Sequence, residues 1–397
     1  MDFTPTEAQA EARDLAARIF ADLATHERLR AAGTGSDPEL WKALTAAGLV
    51  AAVAELGLLG LVLLLEEQGR TTAQVPYAAS CVYGQLAITA HGTGEQRERL
   101  LPGIGDGSVV VTGAFPAQTS VRPSSHGGSV GPSSRGGSVG PSSRGGSVGP
   151  SSRGGSVGPS SHGGSVRPSS RGGLSGTVPV VPWLRDATHV LVADAERRLW
   201  LVPIGEGTGV EEVELTAPWS AGRLTLEDAP AEPLGTDTDT DTGSGPGPGA
   251  YADVLATART AFAGLQAGVC AGSLARAVAH TNAREQFGRP LATRQGVQLR
   301  AADAHMDTEA IRVTAYEAAW RRDTGLPYAT HALTAAWWAS EAGQRVVHTG
   351  QHLHGGTGAD VDHPVHRHFL WGRQLDAYLG SGGEVLQELG ELIASGN

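Results

Sequence analysis

The chain has 397 residues, with 30 Lys and Arg against 41 Asp and Glu, for a formal net charge of -11 at pH 7. With 18% charged residues and a pI near 5.7, it offers no general attraction to nucleic acid or to an anionic membrane surface, so neither is an expected partner. Cys81 and Cys270 are the only cysteines, which excludes a disulfide scaffold and a cysteine-based zinc site and fits a reducing, cytoplasmic setting.

The N-terminal stretch MDFTPTEAQAEARDLAARIF carries acidic residues early and lacks the basic-then-apolar order of an export signal. Ala8, Ala12, Leu15, Ile19 and Leu23 fall on one face of a helix. From Ala43 to Leu65 the residues are nearly all apolar, approaching the roughly 20 needed to span a bilayer. Glu55, Gly48, Gly57 and Gly60 interrupt that run and Glu66 and Glu67 close it without a basic anchor, so a buried helix pair is expected. The helix ending in LVLLLEEQ is predicted to stop at Gly69 as its C-terminal cap.

Between Ser108 and Asp228 the pattern changes to short strands. SVVVTGAF, THVLVAD, RLWLVPI, VEEVEL and GRLTLED are alternating or β-branched runs bounded by Gly, Pro or Asp, which predicts an antiparallel sheet or small barrel. A repeat interrupts them: P-S-S-(R/H)-G-G-S-V-G recurs every nine residues, with prolines at 123, 132, 141, 150, 159 and 168. The repeats account for much of the glycine, which at 56 residues is about twice the usual share of roughly 7%. Each unit offers about one apolar side chain, too little to offset the entropy of ordering its backbone, so an insertion without fixed structure is expected at about 120–173. Arg135, Arg144, Arg153 and Arg171 recur in register, the pattern a repetitive binding arm would show. TDTDTDTGSGPGPG, from Thr236 to Gly249, has a linker's composition and lacks the distal Glu of a calcium loop.

After Ala250 the helical period returns. Val254, Ala258, Ala261, Phe262, Leu265 and Val269 form one stripe, and Val385, Leu389, Leu392 and Ile393 another. Alanine-rich segments at about 251–284, 294–323, 329–353 and 373–395 predict a four-helix bundle. The expected division is helices over 1–104, a β domain over 105–234, a linker over 235–249 and the bundle over 250–397. Helices, then strands, then helices is α+β order; no G-x-G-x-x-G follows a strand, so a doubly wound nucleotide fold is excluded.

Two segments carry chemistry. In AREQFGRP, Ala283–Pro290, Arg284 and Arg289 flank a turn at the end of a long helix, where a guanidinium can clamp a phosphate; a plain helix terminus is the alternative. In GQHLHGGTGADVDHPVHRHF, Gly350–Phe369, the pair Gly355 and Gly356 allows close backbone approach to a ligand. His348, His352, His354, His363, His366 and His368, with Asp360 and Asp362 nearby, also have spacing that suits zinc, but the stretch is accounted for below without a metal and none is expected.

REQFGRP, then Gln295, then QHLHGGTG and HPVHR, resemble the C-terminal domain of the acyl-CoA dehydrogenases, and the three-part order matches across nearly the whole chain. The resemblance implies an FAD-dependent enzyme with N-terminal helices, a β-barrel domain and a four-helix bundle, assembled as a homo- or hetero-tetramer, a dimer of dimers. It implies an acyl-CoA or other acyl-thioester substrate and an electron-transfer flavoprotein as one acceptor. Arg284 would then pair with the flavin pyrophosphate and Phe287 pack on the cofactor. Gln295, Gln351, His352 and Ser381 would lie nearby, with Gly355 and Gly356 at the adenine end.

The family's reaction removes the α-proton of the thioester with a carboxylate while the β-hydride passes to the flavin. In most members the carboxylate stands in a Y-E-G-T segment; here the matching residues are Tyr378, Leu379, Gly380 and Ser381. Other members place it one position before an Arg on the first bundle helix, and the matching pair here is Ala258 and Arg259. No catalytic base is therefore assigned; Glu384, Asp360 and Asp362 are the remaining acidic candidates. Val180 and Pro182 stand where many members carry a Trp and a Thr over the flavin ring. The resemblance leaves two expectations: a complete dehydrogenase, or a subunit that completes the flavin site of a partner carrying the Glu.

Overall fold

The structure, a computed structural model, describes residues 2–115, 165–169, 173–235 and 248–395. The N-terminal part is a run of helices: α1 (Glu7–Leu23), α2 (His26–Ala32), α3 (Pro38–Ala46) and α4 (Val53–Thr71), followed by α5 (Tyr77–Ala79), α6 (Ala87–His91) and α7 (Gly94–Asp106). Thr6 and Thr93 close capping boxes with Gln9 and Gln96, the local reason α1 and α7 begin where they do. Ala12, Leu15, Ile19 and Leu23 lean on the core as their spacing predicts, but Ala8 is exposed and the fully buried stripe is Gln9, Ala16 and Phe20. The apolar run splits as expected into α3 and α4. Gly57, at φ +73°, breaks α4, and Asp323 from a distant helix caps the new start by accepting from the amides of Leu58 and Leu59 at 2.8 Å each.

Between α5 and α6, residues Ser80–Leu86 are π-helical, an extra-residue bulge that turns Tyr83 inward. Eight strands follow: β1 (Val111–Ala114), β2 (Val166–Pro168), β3 (Leu174–Val181), β4 (His189–Ala193), β5 (Leu199–Pro203), β6 (Thr208–Glu212), β7 (Gly222–Ala229) and β8 (Glu232–Pro233). They form two four-stranded sheets, ordered β1-β4-β5-β8 and β2-β3-β7-β6, with no closed barrel among the described residues. The sheets are also not wholly antiparallel: β1 runs parallel to β4, with Val111 opposite His189. The long connection between β1 and β4 makes this possible, since parallel neighbours need a crossover and not a tight turn. Val166, Leu174, Val178, Val190, Val192, Leu224 and Leu226 form the apolar layer of these strands.

Most of the nonapeptide tract, at 116–164 and 170–172, lies outside the described residues, as do the Arg135, Arg144, Arg153 and Arg171 positions and linker residues 236–247. The junction of the last two repeats departs from expectation: Val166 and Arg167, which end the fifth unit, and Pro168, which opens the sixth, are a strand. The edge of β3 supplies antiparallel partners, and Val166 is buried, so the one apolar residue of this unit finds a core that the unit alone lacks.

The bundle consists of α8 (Pro248–Ala283), a two-residue-per-strand hairpin β9 (Glu285–Gln286) and β10 (Arg289–Pro290), then α9 (Gln295–Asp323), α10 (Ala329–Leu353), α11 (Pro364–Leu375) and α12 (Gly382–Ala394). The fourth segment, expected as one helix over 373–395, is therefore two; Gly380, at φ +114°, breaks the chain between them. α8 is long and apolar enough to cross a bilayer by composition, yet 72% of its most apolar window is buried inside the protein. On α12, Val385 is buried while Ile393 is exposed, so the predicted stripe packs at one end only.

Gly69 is not a cap. α4 continues to Thr71 and ends on Thr72 in the left-handed region. Gly69 instead lies where α4 crosses α8: a methyl group there would come within 2.3 Å of the Leu265 carbonyl oxygen. The ladder Gly264, Gly268 and Gly272, one residue per turn of α8, meets Val62, Glu66 and Arg70 of α4; a methyl on Gly268 would sit 2.1 Å from the Glu66 carbonyl oxygen. The two backbones touch over three turns. Substituting Gly268 with Val is expected to cost at least about 3 kcal/mol in urea unfolding, by forcing the helices apart. Gly296→Ala, where an added methyl meets open space, is expected to leave stability unchanged or raise it by about 0.5 kcal/mol.

Candidate functional site

The sequence-predicted residues fall in two groups. The first surrounds the hairpin. Phe287 and Gly288 both take positive φ, +58° and +76°, which gives the tight turn that joins β9 to β10. A phenylalanine pays strain in that conformation, and its ring is 90% exposed with only the Arg294 guanidinium over it, 5.2 Å from the centroid. Arg284 and Arg289 are exposed on either side of the turn, and Gln295 is exposed at the first position of α9. The turn thus presents a strained, solvent-facing phenyl ring among arginines.

The Gly-Gly loop packs on the last turns of α8, the helix from which this hairpin leaves. His354, the residue before Gly355, stacks on His280 of α8, ring centroids 4.6 Å apart. Gly355 has φ +62°, and an added methyl on Gly355 or Gly356 would meet nothing within 4 Å, so the backbone there is open to approach. Gln351 is turned inward, donating to the Gly358 carbonyl at 3.1 Å. His352 points the other way and lines a cavity of about 970 Å³ with Arg300, Asp303, Arg345 and His348. Ser381 is not in this group: it is the N-cap of α12.

The second group is where the family's base would stand. Arg259 is 7% exposed; its Nε donates to the Leu379 carbonyl at 3.2 Å and its two terminal nitrogens hold Glu388 at 2.9 and 2.7 Å. The fold thus brings together the two positions from which family members aim a carboxylate, and here they hold Leu379 and buried Ala258. Glu384 cannot substitute, because its carboxylate closes the capping box on Ser381 at the exposed start of α12. Asp360 caps a turn by accepting from the Asp362 amide and Asp362 pairs with Arg30, both exposed. None of the three acidic candidates reaches the Arg259–Leu379 contact.

An aromatic cluster, not anticipated from the sequence, occupies the space beside that contact. Trp183 stacks on Trp219 at 4.4 Å, Phe262 meets Tyr378 edge-on at 4.7 Å, and Tyr83 stacks on Phe115 at 5.3 Å. Tyr83 and Tyr378 share a hydrogen bond of 3.1 Å between their hydroxyls. Burial pushes both hydroxyls above the ordinary tyrosine range, so neither serves as a base near neutral pH. Gly113 makes room for the cluster, since a methyl there would lie 2.6 Å from the Tyr83 ring. Val180 is 43% exposed, while the Pro182 carbonyl accepts from Thr112 at 2.6 Å and Trp183 turns into the core at φ +54°.

The remaining histidines have separate tasks, and among the described residues no group of three His, Cys, Asp or Glu side chains converges as metal ligands would. His348 and His366 both pack on Phe369, and His363 caps α11. His368 is buried between the carbonyl oxygens of Pro364 and Arg70, and an added methyl on Gly272 would touch its ring. Burial pushes its pKa down to about 4, outweighing the two carbonyls that favour the charged ring.

Helices on either side of a pair of small sheets, with a basic hairpin and an open Gly-Gly loop on the bundle, are the arrangement that the resemblance to the flavin-dependent acyl-CoA dehydrogenases implies. The family models for the acyl-CoA dehydrogenase N-terminal domain and C-terminal domain match residues 6–108 and 246–389. The chain is 30% identical to acyl-CoA dehydrogenase FadE27 of Mycobacterium tuberculosis, covering 99% of both. Among solved structures, a variant of the Tcur3481–Tcur3483 steroid ACAD aligns over 98% of both chains at 39% identity with a TM-score of 0.80. The ChsE4–ChsE5 complex of M. tuberculosis aligns over 99% of both at 27% identity, also with a TM-score of 0.80. The chain belongs to the acyl-CoA dehydrogenase family, and its function is of that kind, flavin-dependent oxidation of the CH-CH bond of an acyl-CoA.

His368 gives a pH signature. Its folded pKa lies below the ordinary value of about 6.5, so its contribution is complete above that pH and is lost as pH falls from about 6.5 towards about 4, a loss of up to about 3 kcal/mol. Urea unfolding across that range is expected to show a shallower loss in His368→Gln than in the parent chain.

Proposed function

We propose that this chain is the base-lacking subunit of a two-component acyl-CoA dehydrogenase: it lends its hairpin and Gly-Gly loop to the flavin of a partner subunit, and the partner supplies the carboxylate. The observation that carries this is the Arg259–Leu379 contact, which joins both family base positions without a carboxylate at either. Proton abstraction next to a thioester needs a base facing the substrate, and leucine and alanine cannot accept a proton.

The residues suit one half of an FAD and not the other. Bound flavin supplies the hydride acceptor. Arg284, Arg289, Phe287 and the backbone of Gly355 and Gly356 offer charge, a stacking face and open backbone to a pyrophosphate and adenine. On the chain's own β side, Trp183 and Trp219 pack against each other and Phe262, and Val180 and Pro182 offer no hydrogen-bonding side chain to a flavin ring. Likeness to two solved assemblies whose names pair two proteins supports a hetero-tetramer, and the steroid ACAD relative supports a bulky, polycyclic acyl thioester as substrate. Buried, unpaired Cys81 and Cys270 suit a cytoplasmic setting.

Visible spectra decide between the readings. The chain purified alone is expected to lack flavin absorbance, and co-expression with a Glu-bearing partner is expected to give a yellow complex that bleaches with a steroid acyl-CoA. Arg284→Gln should lower the flavin content of that complex severalfold. Flavin held by the chain alone that bleaches with an acyl-CoA overturns the proposal in favour of a complete enzyme; no flavin in either sample overturns both.

A further inference from the structure

The chain breaks two local rules around the hairpin β9–β10, and one side chain connects them. Phe287 at φ +58° and Gly288 at φ +76° make the link a type I′ turn, whose first central position favours Asn or Asp and strains a bulky residue. The second break is at the start of α9. Arg294 stands at the N-cap, where a short polar side chain ordinarily accepts from the free amides, and it makes no such bond. Its guanidinium also sits at the positive end of a 29-residue helix that has no acidic residue in its first turn. Arginine is thus a poor choice at position 294 for α9 itself.

What Arg294 does instead is hold the turn. Its Nη2 donates at 3.1 Å to the carbonyl of Gln286, the residue before Phe287, and its Cζ lies 5.2 Å from the centroid of the Phe287 ring. The hydrogen bond fixes the peptide unit that enters the strained residue, and the cation covers one face of that residue's ring. The side chain is confined in turn: Arg294 is half-buried, and its Nε is shut off from solvent with no hydrogen-bond partner among the described residues. The segment between hairpin and helix is closed as well, since the Leu291 amide donates to the Arg284 carbonyl at 2.9 Å and the Thr293 hydroxyl to the Pro290 carbonyl at 2.7 Å. Arg294 leaves its own helix uncapped and one of its own donors unpaired in order to reach this turn.

We propose that Arg294 is the positioning residue for Phe287: it holds the ring in one presentation before a ligand arrives, so that the hairpin does not have to order itself on binding. That the ligand is the partner's flavin rests on the subunit reading above; the hold on the turn is a property of this chain alone.

Two variants test this. Arg294→Asn gives α9 a favoured N-cap and removes both contacts, while Arg294→Lys keeps the charge but not the planar fork that covers the ring and reaches the carbonyl together. In the full chain alone, chymotrypsin cleavage after Phe287 requires the turn to open, and it is expected to be at least about fivefold faster in both variants. The melting temperature of Arg294→Asn should equal or exceed that of the parent chain. In the complex with a Glu-bearing partner, both variants are expected to hold flavin severalfold more weakly on dilution. Cleavage at the parent rate, or faster cleavage with unchanged flavin affinity, overturns the proposal. A lower melting temperature in Arg294→Asn makes Arg294 a structural residue of α9, and parent-like behaviour of Arg294→Lys assigns its effect to charge; either result also overturns it. A parent complex without flavin sinks the subunit reading and leaves cleavage to decide the hold on the turn. A yellow parent complex whose variants cleave and bind as the parent does sinks this role and leaves the subunit reading standing.

Discussion

The backbone contact between α4 and α8 is the constraint on which the rest depends. Gly69 faces Leu265, and Gly264, Gly268 and Gly272 face Val62, Glu66 and Arg70, so no side chain separates the two helices. Contact this close fixes the translation and rotation of α8 to within a fraction of a residue. Everything on α8 is then located: Ala258 and Arg259 towards Leu379, Phe262 into the aromatic cluster, and His280 under the Gly-Gly loop. α9 is tied to the same α4 by Asp323 at its broken start and by Arg312, 3.0 Å from the buried carboxylate of Glu66. Burial raises the Glu66 pKa, so this carboxylate depends on Arg312 to stay ionised.

At the contact of Arg259 with Leu379, the fold has kept a scaffold and lost a reagent. A buried guanidinium held by Glu388 still fixes the loop between α11 and α12, as an active site requires. Stacked rings then occupy the neighbouring volume, and such packing of Trp183, Trp219, Phe262 and Tyr378 contributes stability where an open pocket would contribute none. The opposite holds at the hairpin. There the chain spends backbone strain on an exposed Phe287, which lowers the stability of the subunit and leaves the ring facing solvent.

The sequence carried the family well because REQFG and HGG are local: each is a few adjacent residues with its own turn chemistry. The order of helices and strands was legible for the same reason, since periodicity is a property of short windows. What the sequence hid was set by partners far along the chain. Gly69 reads as a cap until Leu265 is placed against it, and Val166 reads as one more repeat until β3 offers an edge. Glu384 reads as a free carboxylate until Ser381 claims it; the S-x-x-E spacing of a capping box was the available signal. The aromatic cluster draws Tyr83, Phe115, Trp183, Trp219, Phe262 and Tyr378 from six separate segments, and nothing in one sequence links them.

The length of α8 sets how far apart its two ends act. From Ala258 to His280 is 22 residues of one helix, a span of about 33 Å at 1.5 Å per residue. Since the glycine ladder prevents α8 from sliding or bending toward itself, no ligand shorter than that span touches both ends on the same polypeptide. The Arg259–Leu379 contact and the His280–His354 stack are therefore separate places on one rigid helix, too far apart for one small group to touch both.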